Sequence, residues 1–424
     1  MKISVIGLGY VGLPLAGLLS MKFEVTGYDV DLDKIQDVLD GHEVVVEPGL
    51  SQLLKTSLGS KLLKLTVNIG DIKETDVKII TVGTPYSLET GETDFSQLDA
   101  SLNMVIPHLK RGDVIMLKST VPPGTTMGRV KEKIEMSGLN VPVDVGIVFS
   151  PERMVEGQAI NDFKTLPKII GATDENSFNI AKEILSTLGG SIVKVSSPTV
   201  AEMVKMVDNY SRFVFIGLTN EIALMSEKVG VDVMELIEAA KHDYPRNAGL
   251  LKPGPGVGGS CLNKDPFILQ SHLNKQNLKL HFVEAAKTVN YGMASHVSDL
   301  VTRFSQSRRN LVIAGVAFKG DTNDTRFTTT FQIENELRVK GFSVNLTDPL
   351  VKRNDMQINP DLYSASSGRD IFLLLTNHSE YSKINLKKLR EMMLENPIII
   401  DTRAIIKKNE AESTGFEYHG LGRL

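Results

Sequence analysis

Hydrophobic and polar positions follow different periods in different stretches of the chain. Over the first third, short β-branched runs alternate with segments in which apolar residues recur every three or four positions. The strand candidates are residues 2–7, 23–28, 77–82, 114–118 and 145–150, and helical periodicity covers 14–19 and 32–39. This alternation predicts a parallel, doubly wound α/β sheet.

The middle of the chain has the period of long helices. Apolar residues recur at helical spacing, without an internal proline, through residues 201–229 and 280–304, and a shorter helix is predicted over 232–240. A loop rich in glycine and proline lies between residues 244 and 265. Strand candidates return at 311–317, 343–346, 371–375 and 398–401. We therefore predict three domains, 1–198, 199–304 and 305–424. A helical middle often supplies a dimer surface, so we also expect a homodimer.

Composition and charge exclude several classes of protein. A chain of 424 residues is too long for one ordinary core, and 42% apolar with 23% charged residues is typical of a folded globular protein. A net charge of −4 without a long basic run argues against a nucleic-acid partner. No apolar run reaches the roughly 20 residues of a membrane span, and no signal peptide is evident, so we expect a cytoplasmic protein. Eight histidines without ligand spacing predict no metal site.

The first strand runs into the sequence GLGYVG, which starts at Gly7 and leads into a helix. In this context Gly7 permits a tight turn, Gly9 lets a pyrophosphate approach the backbone, and Gly12 allows close packing of helix on sheet. The helix N-terminus offers N–H groups to phosphates. Asp29, at the end of the second strand, would accept hydrogen bonds from a ribose 2′-OH and repel a 2′-phosphate, which predicts NAD rather than NADP. The alternatives are a plain turn and a solvated acid.

The single cysteine, Cys261, ends a second glycine-rich loop, which reads GPGVGGSCLNKD from Gly254. Small residues let the backbone of such a loop come close to a ligand. A helix beginning near the thiol, and Lys264 one turn on, would favour the thiolate, and Asp265 could hold a water or a base. Beside a nicotinamide, a thiolate can capture an aldehyde and carry it through a thioester to an acid. The alternative is an inert cysteine in a structural loop.

The motifs occur in an order that resembles the nucleotide-sugar 6-dehydrogenases of the UDP-glucose/GDP-mannose dehydrogenase family, over nearly the whole chain. In chain order they are GLGYVGLPLA from Gly7, VGTP from Val82, KSTVPPGTT from Lys118, SPERMVEGQA from Ser150, LPKIIGA from Leu166, AEMVKMVDNYSR from Ala201, GPGVGGSCLNKDP from Gly254, GVAFKGDTNDTR from Gly315 and HGLGR from His419. The resemblance implies two Rossmann-like doubly wound domains joined by a central helical domain. It also implies an NAD-dependent oxidoreductase of nucleotide-sugar metabolism, serving polysaccharide biosynthesis, that oxidises C6 of a UDP-sugar to a carboxylate with two NAD per product.

Catalytic roles follow from the same match. Cys261 would be the nucleophile, and Lys205 would stabilise an oxyanion. Asn209, one turn beyond Lys205 on a helix, would be a further donor. Asp265 would position a water for proton transfer. Taken singly, Lys205 reads equally well as an exposed surface lysine.

Water activation and ligand binding are assigned in the same way. Thr120 and Glu152 would orient the water that hydrolyses the thioester, although Glu152 alone reads equally as a solvated acid. The implied cofactor-binding residues are Gly7, Gly9, Tyr10, Val11, Gly12, Asp29, Lys34, Thr84, Pro85, Ser119 and Thr120. The implied substrate-binding residues are Glu152, Arg153, Lys205, Asn209, Arg212, Arg246, Gly258, Lys319 and Arg326.

The nucleotide of the substrate is assigned mainly to the C-terminal domain. Lys319, Asp324 and Arg326 follow its first strand, where a doubly wound sheet binds ligands, and lysine or arginine suits a pyrophosphate. Arg246 would reach the substrate from the partner subunit; the alternative is a solvent-exposed arginine.

The sugar is indicated by smaller differences. Arg153 in PERMVEG and the ending LPKIIGA resemble the acetamido-sugar branch, whereas UDP-glucose enzymes more often read PEFLREG. The loop departs from the GGHCLPKD of that branch at Ser260 and Asn263, and Ala294 stands where many members have proline. We expect UDP-N-acetyl-D-mannosamine as the substrate, with UDP-GlcNAc, UDP-GalNAc and UDP-glucose open.

Two other functions were weighed against this one. A Rossmann-type NAD-binding regulator that had lost catalysis would lack the nucleophile or the lysine, and both are present. A two-electron 3-hydroxyacid dehydrogenase would share the glycine turn and the helix lysine but would need neither the cysteine loop nor a third domain. The number of NADH released per substrate separates these readings.

Overall fold

The computed structural model describes residues 1–87, 90–352 and 356–423. The chain forms two compact units, Met1–Asp208 with Phe267–Leu278, and Asn209–Pro266 with Lys279–Leu424. Each unit contains one large sheet with helices around it. In the described part of the chain, no helix is both long and apolar enough to cross a membrane.

The first unit is built on an eight-stranded sheet. Its strands and a separate hairpin (β5 with β6) are β1 (Lys2–Ile6), β2 (Glu24–Tyr28), β3 (Leu63–Thr66), β4 (Val77–Ile80), β5 (Tyr86–Ser87), β6 (Glu92–Thr93), β7 (Val114–Leu117), β8 (Gly146–Phe149), β9 (Lys168–Ala172) and β10 (Ile192–Val195). The order is β10-β9-β8-β7-β4-β1-β2-β3, parallel throughout except for the β8–β9 pair. The chain reverses its direction of winding between β1 and β4, and ligands of such sheets bind at that point, beyond the carboxyl ends of the strands.

Helices cover this sheet. Those of the first unit are α1 (Gly12–Leu19), α2 (Leu32–Leu39), α3 (Leu50–Gly59), α4 (Ser96–Val105), α5 (Lys131–Glu135), α6 (Ala159–Thr165) and α7 (Glu175–Ser186). Helix α1 is apolar almost throughout, and all of it except Leu18 is buried. Asp31 begins α2 by accepting a hydrogen bond from Lys34 N at 3.0 Å. These helices place the first turn of α1 directly after β1.

The rest of the chain contains a helical region and a second sheet. The helices are α8 (Pro198–Val229), α9 (Val233–Lys241), α10 (Asp265–Asn274), α11 (His281–Ser305), α12 (Thr330–Val339), α13 (Leu362–Ser366), α14 (Leu386–Met392) and α15 (Lys408–Ser413). The strands are β11 (Asn310–Ala314), β12 (Ser343–Thr347), β13 (Ile358–Asn359), β14 (Ile371–Leu374), β15 (Ile398–Asp401) and β16 (Glu417–Gly420). They are all parallel, in the order β13-β12-β11-β14-β15-β16. The apolar face of α11, including Val297, packs against Leu311 and Ile313 of β11.

The predicted fold class, two parallel α/β sheets with helices between them in sequence, is confirmed, and the differences lie at the ends of elements. Helix α8 begins at Pro198, three residues before the predicted start, because proline is tolerated in the first turn of a helix. Strand β11 ends at Ala314, three residues earlier than predicted, because Gly315 turns the chain with φ +102°. Strands β3, β9, β10 and β16 were not predicted.

Glu227 of α8 holds the C-terminal segment in the second unit. Its carboxylate accepts hydrogen bonds from Gly422 N at 2.9 Å and from the ring of His296 at 3.2 Å. Burial would raise the pKa of Glu227, but these hydrogen bonds and the nearby positive charge hold it below its ordinary value. The ionised carboxylate therefore stabilises the folded state.

Replacing Glu227 with glutamine is expected to lower the Tm by about 2–4 °C at neutral pH, since glutamine keeps the shape and loses the charge. The pKa is lower in the folded state than the unfolded value of 4.5, so the stabilisation is complete above that value and is lost as the pH falls through the folded one. The difference in Tm between Glu227→Gln and the unmodified protein should thus be largest above about pH 5 and close near about pH 3. Calorimetry that shows the same difference at both pH values would contradict this account.

Candidate active site

The turn after β1 leaves one glycine open to ligands. Gly7 has φ +92°, and a Cβ at Gly12 would lie 1.9 Å from Gly7 O, so the backbone itself requires these two glycines. At Gly9 a Cβ would meet no heavy atom within 4 Å. Helix α1 begins without a side-chain cap. Phosphates can therefore approach Gly9 and the N–H groups that start α1, as the sequence predicted.

Asp29 stands beside this turn. Its Oδ2 accepts hydrogen bonds from Leu8 N at 2.7 Å and from Lys34 Nζ at 2.9 Å, and Oδ1 accepts one from Asp31 N at 3.1 Å. Burial would raise the pKa of Asp29, but these donors hold it below its ordinary value. An ionised carboxylate thus lies at the end of β2, where a ribose hydroxyl can donate to it. Lys34, a second predicted site residue, is its ion-pair partner.

The loops after β4 and β7 are bonded to each other at the same edge of the sheet. Thr84 is buried, and its hydroxyl donates to Thr120 O. Ser119 Oγ donates to Val82 O at 2.7 Å. Because β4 and β7 are paired strands, this brings the predicted cofactor residues Thr84, Ser119 and Thr120 together. Pro85 continues the first of these loops and is exposed.

Glu152 follows β8, the strand next to β7. Its Oε1 accepts hydrogen bonds from Arg153 N at 2.9 Å and Met154 N at 3.0 Å, and its Oε2 lies 3.3 Å from Lys118 Nζ. The side chain of Lys118 is 1% exposed and its ammonium donates to Ser150 O. Glu152 is therefore a fixed carboxylate, not a solvated acid on a loose loop.

Arg153, predicted to bind substrate, has a partner within the first unit. Its Nε donates to Asp208 Oδ2 at 2.6 Å, and both side chains are about one-third exposed. The pair orients the guanidinium without burying it. Arg212, on the exposed side of α8, has no comparable burial.

Asp265 and Asn209 are joined in the second unit. Asn209 Nδ2 donates to Asp265 Oδ2 at 2.5 Å, and Lys264 Nζ lies 3.7 Å from Asp265 Oδ1. Asp265 is 1% exposed. Lys205 lies one helical turn before Asn209 on α8 and is partly exposed. A buried carboxylate with an amide donor on one oxygen can hold a proton-transferring water in a defined place.

Cys261 is exposed, and its Sγ lies 4.0 Å from Ser260 Oγ. The expected helix begins later than the sequence suggested: α10 starts at Asp265. The residues between form a turn in which Cys261 O accepts hydrogen bonds from Lys264 N at 3.2 Å and Asp265 N at 2.8 Å. The thiol therefore precedes the helix by a full turn, and the helix N-terminus lies at Asp265.

Asn263, which departs from the family pattern, stabilises the cysteine loop. Its Nδ2 donates to Val257 O at 3.2 Å and to Gly259 O at 2.9 Å, while its Oδ1 accepts a hydrogen bond from Tyr291 OH at 3.1 Å. A proline could make none of these bonds. The departure thus preserves a fixed loop by other means.

The glycines of this loop are explained differently from the sequence prediction. At Gly258 a Cβ would lie 2.6 Å from Phe318 Cβ, and at Gly259, with φ +82°, it would lie 2.6 Å from Phe318 Cε2. Gly259 N donates to Arg326 O at 3.0 Å. The close neighbour that these glycines require is therefore the protein's own 318–326 segment. For Gly258, predicted to bind substrate, the structure shows packing.

That segment carries the residues predicted to bind the nucleotide. Arg326 is exposed and donates to both carboxylate oxygens of Asp324, with NH2 2.7 Å from Oδ2. Asp324 is itself 8% exposed. Lys319 is partly exposed at the start of the segment. Arg246 lies apart from these residues in sequence, in an exposed one-turn helix, where it stacks over Tyr244.

Sequence reasoning missed several buried charged residues that hold these loops. Lys118 appeared only as a letter in the motif KSTVPPGTT, although a charged residue ending an apolar strand is a usable signal. Asp348 and His378 are both buried and paired at 3.1 Å, 30 positions apart. Glu202, adjacent to the predicted Lys205 helix face, is fully buried. Their partners are distant in sequence, so no local pattern identifies them.

Comparison with protein families finds three consecutive matches. Residues 1–189 match the NAD binding domain of the UDP-glucose/GDP-mannose dehydrogenase family, residues 199–292 its central domain, and residues 312–408 its UDP binding domain. The chain belongs to this family. It is an NAD-dependent UDP-sugar dehydrogenase, and its sequence is 33% identical to a UDP-N-acetyl-D-mannosamine dehydrogenase of Pyrococcus horikoshii over 100% of this chain and 99% of the relative.

Two further similarities place this dehydrogenase among its relatives. A UDP-glucose 6-dehydrogenase of Bacillus subtilis is 31% identical, over 100% of this chain and 93% of that one. The solved structure of a UDP-D-ManNAc dehydrogenase from Pyrococcus horikoshii superposes with a TM-score of 0.90 at 32% identity, covering 100% of this chain and 99% of that one. The predicted family, enzyme class and cofactor are therefore confirmed.

In this UDP-sugar dehydrogenase, replacing Asp29 with alanine is expected to lower the preference for NAD over NADP by about tenfold or more, because the 2′-phosphate no longer meets a carboxylate. Steady-state kinetics with both cofactors at saturating UDP-sugar would measure it. The matched control is Asp31→Asn, a neighbour whose carboxylate caps α2. An unchanged preference in Asp29→Ala would remove Asp29 from the ribose site.

Proposed function

We propose that the enzyme oxidises the C6 hydroxymethyl group of its UDP-sugar to a carboxylate, in a four-electron reaction in which Cys261 holds the carbon between two oxidations. The observation that carries this is the exposed Cys261 thiol in a loop fixed by Asn263, one turn before the buried Asp265. A structural cysteine of a folded core would be buried. An exposed thiol on a fixed backbone suits a nucleophile.

The chemistry balances as follows. The alcohol loses a hydride and a proton and becomes an aldehyde. The thiolate of Cys261 adds to the aldehyde carbon, and the resulting thiohemiacetal loses a second hydride and a proton to give a thioester. Water cleaves the C–S bond, releasing the acid and restoring the thiol. NAD, when bound, accepts each hydride, so two NADH are formed per acid.

Each step needs a defined partner from the protein. Lys205 and Asn209 donate to the oxygen that becomes anionic when the thiolate adds. Asp265, held by Asn209 at 2.5 Å, takes up protons through a bound water. Thr120 and Glu152 orient the hydrolytic water, and the fixed Glu152 carboxylate beside Lys118 supports that role.

NAD binding is supported by the turn of the first unit. The open face of Gly9 and the uncapped start of α1 suit the pyrophosphate, and Asp29 suits the adenosine ribose. We assign NAD to residues 1–198, catalysis and dimerisation to 199–304, and the nucleotide of the substrate to 305–424. Lys319 and Arg326 then supply positive charge for the pyrophosphate of the UDP-sugar.

We propose UDP-N-acetyl-D-mannosamine as the substrate. The Pyrococcus horikoshii relative carries that name at 33% identity, and Arg153 supports the acetamido-sugar branch. Since a UDP-glucose 6-dehydrogenase is 31% identical, UDP-glucose is the second candidate. An exposed catalytic thiol requires a reducing compartment, which supports a cytoplasmic location.

A homodimer is proposed through α8. Phe215, Leu218, Met225 and Val229 recur at helical spacing on this helix and are 40%, 43%, 60% and 72% exposed. Exposed apolar side chains in one stripe mark a protein–protein surface. In such a dimer Arg246 could act on the partner's substrate. Size-exclusion chromatography with light scattering should give twice the 46.5 kDa of the chain, and a monomer at micromolar concentration would refute the proposal.

The test of the proposed function is NADH release with a panel of UDP-sugars, with the product mass determined in the same samples. UDP-N-acetyl-D-mannosamine should give two NADH per product and a carboxylate. Turnover only with UDP-glucose would keep the mechanism and change the substrate. One NADH per product would indicate a two-electron dehydrogenase, and no turnover with any UDP-sugar would favour a non-catalytic NAD-binding protein.

A further inference from the structure

Glu202 is a carboxylate with no exposed surface in the first turns of α8. Its Oε2 accepts a hydrogen bond from Gly124 N at 2.6 Å, and its Oε1 accepts from Thr126 N at 2.8 Å and Thr126 Oγ1 at 2.6 Å. Burial raises the pKa of Glu202, while these donors act against that rise. A fully buried carboxylate is costly unless its bonds are needed, and all of these bonds reach one short segment.

That segment continues the loop that carries Thr120. Only Val121, Pro122 and Pro123 separate Thr120 from Gly124, and proline fixes the backbone φ of each of its positions. Thr125 Oγ1 donates to Pro122 O at 2.6 Å, which stiffens the link further. A shift at Gly124 is therefore transmitted to Thr120.

The other end of the connection is the helix. Glu202 and Lys205 are three positions apart on α8, and side chains at that spacing share a face of a helix. No proline or glycine lies between them to bend the helix. Glu202 thus joins the helix of one proposed catalytic group to the loop of another, through bonds of defined length.

We propose that Glu202 is a positioning residue for the reaction: it sets the place of Thr120 relative to Lys205 without touching substrate. The proposal rests on the proposed function, because it takes Thr120 and Lys205 as groups that act on the reacting carbon and its water. Displacing a positioned group by about 1 Å costs on the order of 100-fold in rate, so such a connection matters for turnover.

Glutamine at position 202 tests this. Its amide replaces one acceptor oxygen by a donor, so either Gly124 N or Thr126 N must face an NH2 group and lose its bond. We expect kcat for acid formation to fall by about 10- to 100-fold, with KM for the UDP-sugar within about threefold. Amide hydrogen exchange of residues 120–126, measured without substrate, should accelerate by about tenfold.

The matched control is Glu227→Gln. Glu227 is a buried carboxylate on the same helix that also accepts a backbone N–H, but its bond goes to Gly422. Loss of stability alone would affect both variants. Only Glu202→Gln should change kcat and the exchange of residues 120–126.

A second measurement shows whether Glu202 acts through Thr120. In a Thr120→Ala background, Glu202→Gln should lower kcat by less than about twofold, because the group that it positions is already gone. Full turnover by Glu202→Gln, unchanged exchange, or additive effects in the double variant would each overturn the positioning role. If the unmodified protein oxidised no UDP-sugar, the proposed function would fail instead, which is a different outcome in the same experiment.

Discussion

Replacing Cys261 with serine is expected to lower acid formation by about a thousandfold or more, while NAD still binds. A serine hydroxyl is far less ionised than a thiol, so it captures the aldehyde poorly. The first hydride transfer does not involve the side chain, so any NADH that remains should come from that step alone. Product mass from UDP-N-acetyl-D-mannosamine, determined together with NADH, would show aldehyde or its hydrate in place of acid.

Ser260→Ala is the control for this variant. Ser260 Oγ lies 4.0 Å from the thiol, in the same loop, and its removal should leave acid formation within about threefold of the unmodified rate. Substantial acid from Cys261→Ser, with two NADH per product, would show that the carbon is never bound to this residue. The cysteine loop would then be structural.

The sequence predicted the strands that are buried on both faces and missed those at the edges. Strands β4, β7 and β8 are buried along their whole length, so each reads as a continuous apolar run. Strand β10 has no buried residue and β3 has one, because both lie at the ends of the first sheet. An edge strand buries too little surface to leave an apolar pattern. Its position is decided by the neighbouring strand, which a local pattern cannot identify.

The site was predictable residue by residue but not in its contacts. The types and order of Cys261, Asp265 and Asn209 follow from motifs, yet the bond between Asn209 and Asp265 joins residues 56 positions apart. The role of the loop glycines was partly wrong for the same reason. Nothing near Gly258 in the sequence indicates that Phe318 packs against it. Such contacts depend on how the chain returns after a long excursion.

The two sheets show why similar turns have different uses. Each turn follows a first strand and has an aspartate at the end of the second. Asp348 Oδ2 accepts hydrogen bonds from Val316 N at 2.7 Å and Ala317 N at 3.0 Å, and it is also paired with His378. Those amides are occupied by the protein's own carboxylate. Asp29 takes only one amide of its turn and leaves Gly9 open, which favours the first turn as the dinucleotide site.

Replacing Lys205 with methionine is expected to lower kcat by about 100- to 1000-fold, because the oxyanion formed when the thiolate adds to the aldehyde loses its cationic donor. Methionine is close to lysine in length and apolar volume, so α8 should keep its packing. KM for the UDP-sugar should change much less than kcat, since the charge on this oxygen develops only during the reaction. Steady-state kinetics at saturating NAD would separate the two parameters.

Lys228→Met is the matched control, since Lys228 is an exposed lysine in the last turn of the same helix. It should retain the unmodified kcat. A Lys205→Met enzyme with an unchanged kcat would exclude the oxyanion role. A rise in KM with kcat preserved would instead make Lys205 a binding residue, because an interaction lost equally from ground and transition states does not alter the rate of the bound complex. A fall in kcat confined to Lys205→Met would place the charge of α8 at the step that Cys261 begins.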